Sequence, residues 1–319
     1  MVPQTHQLDG LSASERSRLE LLGVTICDPI EPFSIRRIGR TLRTAFYLRR
    51  LVVNNEIDVI HVHYVDPSAL WACFRRFLKA PFVLTSRGTD VLKGIVELTS
   101  SDSVLSRVVL FFFRTAFSRA SYITCTSSAQ AEALKQSVPI NCPVQIVRTG
   151  VDIEALNDET AGDLPGELVD RRFWLFPRSM RPFYNHELAI EASSSLPESL
   201  VDGTVMVFVD RNSADREYVS KILGKMRSRA HIEFLFLDRL AYPVMTQVMR
   251  RADLVLHTCS HDGSPVSVME GMYFRRKTIV PPLNYDEDIF GNVLCFREYT
   301  QSAVVDAIKG ADRFYTERR

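Results

Sequence analysis

Short apolar and β-branched runs alternate with longer segments of helical periodicity along the whole chain, and this alternation restricts the fold more than any other feature. In the first half, strand-like runs occupy residues 23–27, 58–64, 81–86, 121–127 and 144–150, and helical patterns occupy 13–22, 35–54, 67–79, 104–118 and 128–137. In the second half, strand-like runs occupy 172–178, 204–210, 232–238, 253–259 and 277–282, and helical patterns lie near 185–196, 213–228 and 242–251, from Ser264 and from about Gln301. Strands that alternate with helices form parallel sheets through crossover connections. We therefore predict an α/β fold of two Rossmann-like domains in series.

The boundary between the two halves is marked by a change in composition. Residues 157–172 are acidic and contain glycine and proline, as a domain linker does. A chain of 319 residues has room for two domains of ordinary size. The predicted domains are residues 1–160 and 161–319.

Composition excludes several classes of function. A formal net charge of +1 gives no global case for nucleic-acid binding. The six cysteines are scattered without a CxxC pair or metal-finger spacing, so free thiols in a reducing compartment are expected. No apolar run approaches the roughly 20 residues that span a bilayer, and "MVPQTHQLDG" lacks the pattern of a signal peptide. A cytoplasmic protein is therefore expected.

The stretch "HDGSPVSVMEGM", residues 261–272, predicts the start of a helix after a buried strand. Ser264 and Pro265 match a capping residue followed by proline in the first helical position. The amino end of a helix attracts anions, above all phosphates, through its free N–H groups and its dipole. Glu270 is expected roughly 7 to 8 Å along the helix from Pro265, which places a carboxylate where sugar hydroxyls can donate to it. The alternative is an ordinary helix with Asp262 in a loop and Glu270 in solvent.

Three charged residues follow predicted strands, as ligand-binding residues of parallel sheets do. Asp90, Arg178 and Asp262 each come after the carboxyl end of a strand, and ligands of open α/β sheets bind at that edge. The sequence contains no Gly-x-Ser-x-Gly, P-loop, kinase or Gly-x-Gly-x-x-Gly signature, so hydrolase, phosphotransferase and dehydrogenase functions lack support.

Several segments, taken in order, resemble the retaining glycosyltransferases of family 4, which have the GT-B fold. "DVIHVHYVDPSALWA", "TSRGTDVL" and "ASYITCTSSAQAEAL" resemble motifs of the first domain, and "VQIVRTGVD" resembles the turn that closes it. "PRSMRPFYNHELAIEA" resembles the arginine loop of the second domain, and "MRRADLVLHTCSHDGSPVSVMEGM" resembles the paired carboxylates spaced eight positions apart. The resemblance covers roughly residues 20 to 300.

The resemblance implies a role for each matching residue. The second carboxylate, Glu270, binds the ribose of the donor nucleotide, and the first, Asp262, lies near the donor sugar. Arg178 contacts the diphosphate, and the amides of the loop Gly263, Ser264 and Pro265 contact sugar and diphosphate. Arg181 and Asn185 are further candidates for donor binding. The residues of the first domain expected on the acceptor side are His63, Arg87, Gly88 and Asp90. The mechanism of this class needs no metal ion and no cofactor.

Some residues depart from the family pattern. Tyr184 stands before Asn185 where many members have a lysine; Arg181 either replaces that charge or lies in solvent. Arg87 either meets an acidic substrate or, as we expect, pairs with Asp90. The segment "GMYFRRK", residues 271–277, is bulky and basic where a tight turn is expected, which indicates either a local distortion or another use of that surface.

The ends of the chain also depart from the pattern. No segment before residue 23 matches the first strand and Gly-rich loop of the family, and no crossover helices follow the last predicted helix. The alternatives are a fragment or misassigned start, which we favour, or a partner that completes the domain.

Two other features are open to more than one interpretation. His61 and His63 have the spacing of metal ligands, but no third ligand is near in sequence, so we expect cleft or core histidines. The helix over residues 35–52 carries apolar residues at helical spacing and six arginines, five of them largely on other faces, so it is either a solvated face or a peripheral contact with an anionic membrane.

The sequence as a whole predicts transfer of a sugar from a nucleoside diphosphate sugar to an acceptor hydroxyl, with retention, in bacterial surface polysaccharide or glycolipid assembly. The expected partners are the nucleotide-sugar donor and a saccharide or lipid-linked acceptor, and no nucleic acid. The main alternative is a non-catalytic subunit that binds a sugar nucleotide. A sugar-nucleotide epimerase would need an ordered set of acid and base carboxylates that the sequence does not reveal.

Overall fold

The computed structural model describes residues 2–3, 21, 23, 26–27, 30–159, 162–209, 215–227 and 232–317. The chain divides into two compact units. The first unit comprises Met1–Cys125 and Gln130–Ile146, and the second comprises Thr126–Ala129 and Val147–Arg319. Each unit contains its own parallel sheet, so the predicted α/β class is confirmed.

In the first unit, four parallel strands form a sheet in the order β3-β4-β5-β6. The strands of the first unit are β1 (Val2–Pro3), β2 (Ile26–Cys27), β3 (Ile60–His63), β4 (Phe82–Ser86), β5 (Tyr122–Cys125) and β6 (Val144–Ile146). Its α-helices are α1 (Ile38–Asn54), α2 (Arg75–Leu78), α3 (Val96–Ser100), α4 (Val104–Arg119) and α5 (Ser128–Ser137). Shorter 3-10 and π-helical turns cover Ile35–Arg37, Pro67–Phe74 and Asp90–Ile95.

The start of the chain differs from the prediction. Val2–Pro3 forms a strand that pairs in parallel with Ile26–Cys27, in a two-stranded sheet separate from the larger one. A strand therefore precedes residue 23, where no match to the family's first strand was expected, and the segment in which the Gly-rich loop was sought lies outside the described residues. Two-residue strands lack the periodicity on which sequence patterns depend. The predicted helix over residues 13–22 lies almost entirely outside the described residues.

In the second unit, six parallel strands form one sheet in the order β12-β11-β10-β7-β8-β9. The strands are β7 (Arg172–Phe176), β8 (Thr204–Phe208), β9 (Glu233–Phe236), β10 (Leu254–Leu256), β11 (Lys277–Val280) and β12 (Leu294–Cys295). The α-helices are α6 (Ile153–Asn157), α7 (His186–Ser194), α8 (Glu198–Val201), α9 (Arg216–Arg227), α10 (Tyr242–Arg251), α11 (Val266–Tyr273), α12 (Glu287–Phe290) and α13 (Gln301–Thr316). Short 3-10 turns cover Gly166–Leu168 and Pro182–Tyr184.

The central strands of the second sheet are buried on both faces. Trp174 and Phe176 of β7 point into one apolar cluster, whereas Phe173 and Leu175 point into another on the opposite face. This alternation follows from the two-residue period of a strand, and helices cover both faces. Strands of this kind read as continuous apolar runs, which explains why the runs in the sequence located them correctly.

The helix that follows β10 begins one residue later than the sequence predicts. Pro265 has an extended conformation, with φ −71° and ψ 107°, and serves as the N-cap, so α11 begins at Val266. The Pro265 carbonyl accepts hydrogen bonds from the N–H groups of Val268 and Met269, at 3.1 and 3.3 Å. The prediction that Ser264 is the capping residue is therefore wrong, and the Ser264 hydroxyl does not cap the helix.

Within the described part of the chain, no helix is long and apolar enough to cross a membrane.

Candidate functional site

The order of the strands in the second sheet brings two predicted site residues together. From β7 the chain adds β8 and β9 on one side, and then returns to add β10, β11 and β12 on the other. The strand order reverses between β7 and β10, which is where open α/β sheets bind ligands. Arg178 follows the carboxyl end of β7 and Asp262 follows that of β10. The two residues are 84 positions apart in sequence and meet at this point.

Arg178 is a largely buried cation with one carboxylate partner. Its Nη2 donates to Asp262 Oδ2 at 2.5 Å, and the two side chains are only 15% and 17% exposed. Burial by itself lowers the pKa of the Arg178 guanidinium, but the nearby Asp262 carboxylate leaves that pKa above its ordinary value. The guanidinium therefore stays charged and fixed in place. A fixed cation of this kind can stabilise negative charge that develops on a leaving group.

Tyr184 occupies the position where a lysine was expected, and it supports Arg178. The Arg178 guanidinium lies 5.1 Å from the centroid of the Tyr184 ring, within the range of a cation–π contact. Tyr184 therefore supplies a surface that orients the arginine and adds no second charge. Arg181, the candidate replacement for that charge, has an exposed side chain.

The loop before α11 is tied to the loop that carries Arg178. The hydroxyl of Thr258 donates to the backbone carbonyls of Tyr184 and Asn185, at 3.0 and 2.8 Å. The N–H of Ser260 donates to the carbonyl of Phe183 at 2.9 Å, and the His261 ring stacks on Phe183 with centroids 4.9 Å apart. These contacts fix the loop before α11 against the loop that carries Arg178, because groups of the first loop donate hydrogen bonds to backbone carbonyls of the second.

Asn185 lies at the start of α7 and has a structural part in the site. Its backbone adopts the left-handed conformation, with φ +55°, and its side-chain oxygen accepts from the N–H of Leu188 at 3.4 Å. Asparagine tolerates this conformation better than most residues. Asn185 therefore caps the helix, and its predicted contact with the donor remains a prediction.

Buried polar atoms without partners surround the amino end of α11. Among the residues that the structure describes, Ser264 Oγ, Ser267 Oγ and Arg178 Nε are buried and make no hydrogen bond. Because the first intrahelical donors are Val268 and Met269, the N–H groups of Val266 and Ser267 have no acceptor within the helix. Buried polar groups are rarely left unpaired, because each costs about 1 to 3 kcal/mol. This set of donors is suited to an anion such as a phosphate.

Glu270 lies on α11, beyond its amino end, and is buried rather than exposed to solvent. Glu270 is 7% exposed, and its Oε1 accepts a hydrogen bond from the hydroxyl of Tyr242 at 2.9 Å. Burial raises the pKa of Glu270 above the ordinary value of a glutamate, and the Tyr242 bond and the charge of Arg178 offset part of that increase. The carboxylate is held in one orientation and its second oxygen remains available to a ligand.

Asp262 and Gly263 form the turn between β10 and α11. The N–H of Gly263 donates to Asp262 Oδ1 at 2.8 Å, while Asp262 Oδ2 accepts from Arg178. Both carboxylate oxygens of Asp262 are thus engaged in orienting the loop and the arginine. Asp262 does lie in a loop, as the alternative interpretation of this segment had it, but the expectation that Glu270 lies in solvent is wrong.

In the first unit, the Asp90 carboxylate organises the loop after β4. It accepts hydrogen bonds from the backbone N–H groups of Val65, Arg87, Gly88 and Val91, and from the hydroxyl of Ser86. Asp90 is 6% exposed. The predicted ion pair between Arg87 and Asp90 is wrong, because the carboxylate is occupied by backbone amides and the Arg87 side chain is exposed.

The two histidines of β3 lie side by side at the end of the strand. The rings of His61 and His63 have centroids 3.9 Å apart, and His61 Nε2 forms a hydrogen bond with the hydroxyl of Thr85 at 2.6 Å. Burial lowers the pKa of His63, and the positive charge of Arg87 lowers it further. Within the described residues, no group of three or more His, Cys, Asp or Glu side chains could hold a metal ion.

Sequence reasoning missed three side chains that shape the site of the second unit. Tyr242 orients Glu270, Ser267 adds an unpaired hydroxyl, and His257 is 1% exposed with no partner for either ring nitrogen among the described residues. Burial lowers the pKa of His257 far below its ordinary value, and the charge of Arg178 adds to this, so the ring is neutral. The only signal for Ser267 was its place in the first turn of α11, and no local signal marks Tyr242, which comes from a different helix.

The chain is similar to known proteins in the sequence of its first half and in its fold. The sequence profile of Glycosyltransferase Family 4 matches residues 2–155. Among solved structures, Anabaena HepE in complex with UDP is similar with a TM-score of 0.68 and 15% identity, over 95% of this chain and 80% of HepE. HepE in complex with UDP-glucose gives a TM-score of 0.66 and 16% identity, over 96% of this chain and 82% of HepE.

Other comparisons extend this result. Sucrose-phosphate synthase of Thermosynechococcus elongatus is similar with a TM-score of 0.66 and 12% identity, over 91% of this chain and 74% of the synthase. No curated protein sequence matches the chain significantly. Nearly the whole chain shares the GT-B fold of these neighbours, and residues 2–155 are similar in sequence to Glycosyltransferase Family 4.

Proposed function

We propose that this protein transfers a sugar from a nucleoside diphosphate sugar to an acceptor hydroxyl, with retention of configuration. The observation that carries the proposal is the buried Arg178, held by Asp262 at the strand-order reversal and next to the unpaired donors of α11. A diphosphate brings the negative charge and acceptor oxygens that these groups lack. HepE, which shares the fold, binds UDP and UDP-glucose, and this likeness supports a nucleotide sugar as the donor.

Glu270 is proposed to accept hydrogen bonds from the ribose of that donor. Its buried position, its fixed orientation by Tyr242 and its second free oxygen suit a pair of neighbouring hydroxyl groups. The phosphate end of the ligand would then lie at the amino end of α11 and the nucleoside further along the same helix. In this arrangement Glu270 contacts the donor directly, whereas Asp262 acts by holding Arg178 in place.

The chemical step is front-face displacement at the anomeric carbon. The bond from the anomeric carbon to the leaving phosphate oxygen breaks, and the acceptor oxygen forms its bond on the same face of the sugar. The acceptor's proton passes to the leaving phosphate oxygen, so no side-chain nucleophile is needed. Arg178 and the amides of α11 stabilise the charge that accumulates on the departing diphosphate. The proposed mechanism uses no metal ion and no cofactor.

The acceptor, the pathway and the location belong to the same proposal. We propose a saccharide or lipid-linked acceptor, as in bacterial surface polysaccharide or glycolipid assembly, on the cytoplasmic side. His63, Arg87, Gly88 and Asp90 of the first unit are the candidates for the acceptor side, with Asp90 acting through the loop that it orders. A non-catalytic sugar-nucleotide-binding subunit is the second candidate, because Tyr184 replaces a lysine and adds no charge to the phosphate site.

Peripheral contact with an anionic membrane is proposed for helix α1. Ile38, Leu42 and Phe46 are 65%, 54% and 63% exposed and share one face of the helix at four-residue spacing. Five of the six arginines of the same segment, namely Arg36, Arg37, Arg40, Arg43 and Arg50, are exposed. An exposed apolar stripe with basic flanks matches helices that lie in the interface of anionic lipids.

The function is tested with a panel of nucleoside diphosphate sugars, in which binding is measured by calorimetry and turnover by release of the nucleoside diphosphate. We expect Glu270→Ala to abolish measurable donor binding, since the variant loses the contact with the ribose and leaves the Tyr242 hydroxyl without its acceptor. Glu217→Ala, which removes an exposed glutamate of α9, is the matched control and should bind like the wild type. Unchanged affinity in Glu270→Ala would remove this residue from the site.

Two further results decide between the candidate functions. Binding of a nucleotide sugar with neither hydrolysis nor transfer would support the non-catalytic subunit. If the protein is an enzyme, Arg178→Ala should lower turnover by orders of magnitude, and a wild-type rate would exclude the assigned role. Because Glu270 has a raised pKa, donor binding should weaken on acidification at a higher pH than an exposed glutamate would require.

A further inference from the structure

A second concave site lies in the second unit, at the far end of helix α11 from the proposed donor site. It has a volume of about 670 Å³, within the range of small-molecule sites. The side chains that line it are Met272, Phe274, Arg275, Arg276, Lys277, Asn292 and Tyr315. Helix α11 has eight residues, so this site is about 12 Å along the helix from its amino end. The donor site and this cavity therefore use different residues.

The basic segment that lines the cavity forms the turn after α11. The N–H of Arg276 donates to the carbonyl of Gly271 at 2.8 Å, and the N–H of Arg275 donates to that of Met272 at 2.9 Å. This pair of bonds defines a Schellman turn, in which the left-handed position is usually glycine. Here that position is Arg275, with φ +55°. The expected tight turn is thus present, with an arginine in its most demanding position.

An arginine at this position costs stability compared with glycine. In the left-handed region the Cβ atom comes close to the following carbonyl oxygen, a contact that glycine avoids. The Arg275 side chain is exposed, and no hydrogen bond or ion pair of it is found among the described residues. A strained residue whose side chain makes no compensating contact suggests a role in binding.

The charge around the cavity is predominantly positive. Lys277 forms an ion pair with Asp312 of α13, whose side chain is 72% exposed. Arg276 Nε donates to the carbonyl of Phe274 at 2.7 Å, which fixes the guanidinium near the turn. Arg276 Nη1 also donates to the carbonyl of Ala252, at 3.4 Å. Arg275, Arg276 and Lys277 thus line the cavity, and none of the residues that line it is acidic, so its lining is positively charged. Such a site favours an anion that can accept several hydrogen bonds.

Part of the cavity lining is aromatic and fixed in place. The Tyr315 hydroxyl donates to the carbonyl of Thr278 at 2.6 Å and accepts from the N–H groups of Thr278 and Leu294. Its hydrogen-bonding capacity is used, so the tyrosine presents its ring to the cavity. The Phe274 ring is held from one side by the Arg250 guanidinium, 5.0 Å from its centroid. Rings fixed in this way form a wall suited to an aromatic or apolar group.

We propose that this cavity binds an organic phosphate, with the phosphate on the basic turn Arg275–Lys277 and an aromatic or apolar portion against Phe274 and Tyr315. The proposal does not depend on the proposed glycosyl transfer, because it uses the opposite end of α11. Inorganic phosphate shares the anionic part of this chemistry and lacks the aromatic part. AMP combines both parts and is the probe of choice.

The test is calorimetric titration of AMP and of inorganic phosphate into the wild type and three variants. Arg275→Gly removes the exposed cation and relieves the strained turn, so it should melt at the same or a higher temperature than the wild type. We expect AMP to bind the wild type more tightly than phosphate, and Arg275→Gly to weaken AMP at least about tenfold, as for loss of one charge-assisted bond. Arg251→Ser removes an exposed arginine outside the cavity and should leave AMP binding unchanged.

The third variant separates this cavity from the donor site. Arg178→Gln should retain AMP binding if the basic turn holds the phosphate. Absence of AMP binding to the wild type, or unchanged binding in Arg275→Gly, would overturn the proposal. Loss of AMP binding in Arg178→Gln would assign the nucleotide to the donor site, and this result also overturns it.

Discussion

Replacing Asp262 by asparagine tests whether Arg178 is a buried cation that can bind an anion. The substitution keeps the size of the side chain and one acceptor oxygen, and removes the negative charge. Arg178 then lies largely buried with no counterion, because the 2.5 Å contact with Asp262 is its only ion pair in the described part of the chain.

The magnitude follows from the burial of the pair. Removing one partner of a fully buried ion pair costs about 3 to 5 kcal/mol. Here the side chains are 15% and 17% exposed, and asparagine retains a hydrogen bond worth about 1 kcal/mol. We therefore expect Asp262→Asn to lower the free energy of unfolding of the second unit by about 2 to 3 kcal/mol. For a unit of this size, that corresponds to a fall in melting temperature of about 5 to 10 °C.

The assay is thermal unfolding with and without inorganic pyrophosphate, which supplies a diphosphate without a nucleoside. In Asp262→Asn, an anion that binds Arg178 replaces the missing charge, so pyrophosphate should raise the melting temperature more than it does in the wild type. Asp288→Asn, which removes an exposed carboxylate of α12, is the control. An unchanged melting temperature in Asp262→Asn would refute the conclusion that Arg178 is a buried cation stabilised by Asp262. An equal effect of pyrophosphate on wild type and variant would refute binding of the anion at Arg178.

Two remaining predictions concern other parts of the chain. His186 has its pKa lowered to about 4 by burial; the unfolded chain takes up a proton first, so about 3 kcal/mol of stability is lost as the pH falls from about 6.5 to about 4. Chemical unfolding at several pH values should show a smaller loss in His186→Gln, and an identical pH profile would contradict the assignment. On α1, Phe46→Ser should reduce sedimentation with vesicles that contain phosphatidylglycerol, whereas Val59→Ser, at an exposed position outside the helix, should not. Equal sedimentation of all three proteins, or no binding by the wild type, would exclude the membrane contact.

Much of the fold could be predicted because its elements carry local patterns. Strands buried on both faces are continuous apolar runs, so β7, β8 and β10 were located from the sequence, and the helical periods of α5 and α10 gave their boundaries correctly. Short elements carry no such period. The strands β1 and β12 and the helices α8 and α12 have two to four residues each, and the sequence did not reveal them.

The turn after α11 shows that an ordinary turn can form although its residue departs from the local preference for glycine. Sequence reasoning expected a tight turn in residues 271–277, and because the segment is bulky and basic it indicated either a local distortion or another use of that surface. The backbone instead forms the ordinary Schellman turn and places an arginine in the left-handed position. Propensity is a preference of about 1 to 2 kcal/mol, which the packing of a helix against its sheet exceeds.

The sequence by itself determined the residue types of the site, because Arg178, Asp262 and Glu270 stand at fixed offsets from strands whose carboxyl ends share one edge. Only the tertiary structure decided which atoms meet. The pairing of Arg178 with Asp262 depends on the reversal of strand order between β7 and β10, and the support of Glu270 by Tyr242 depends on the packing of α10 beside α11. Contacts between residues far apart in sequence arise from the arrangement of whole elements, and no local pattern of side chains encodes that arrangement.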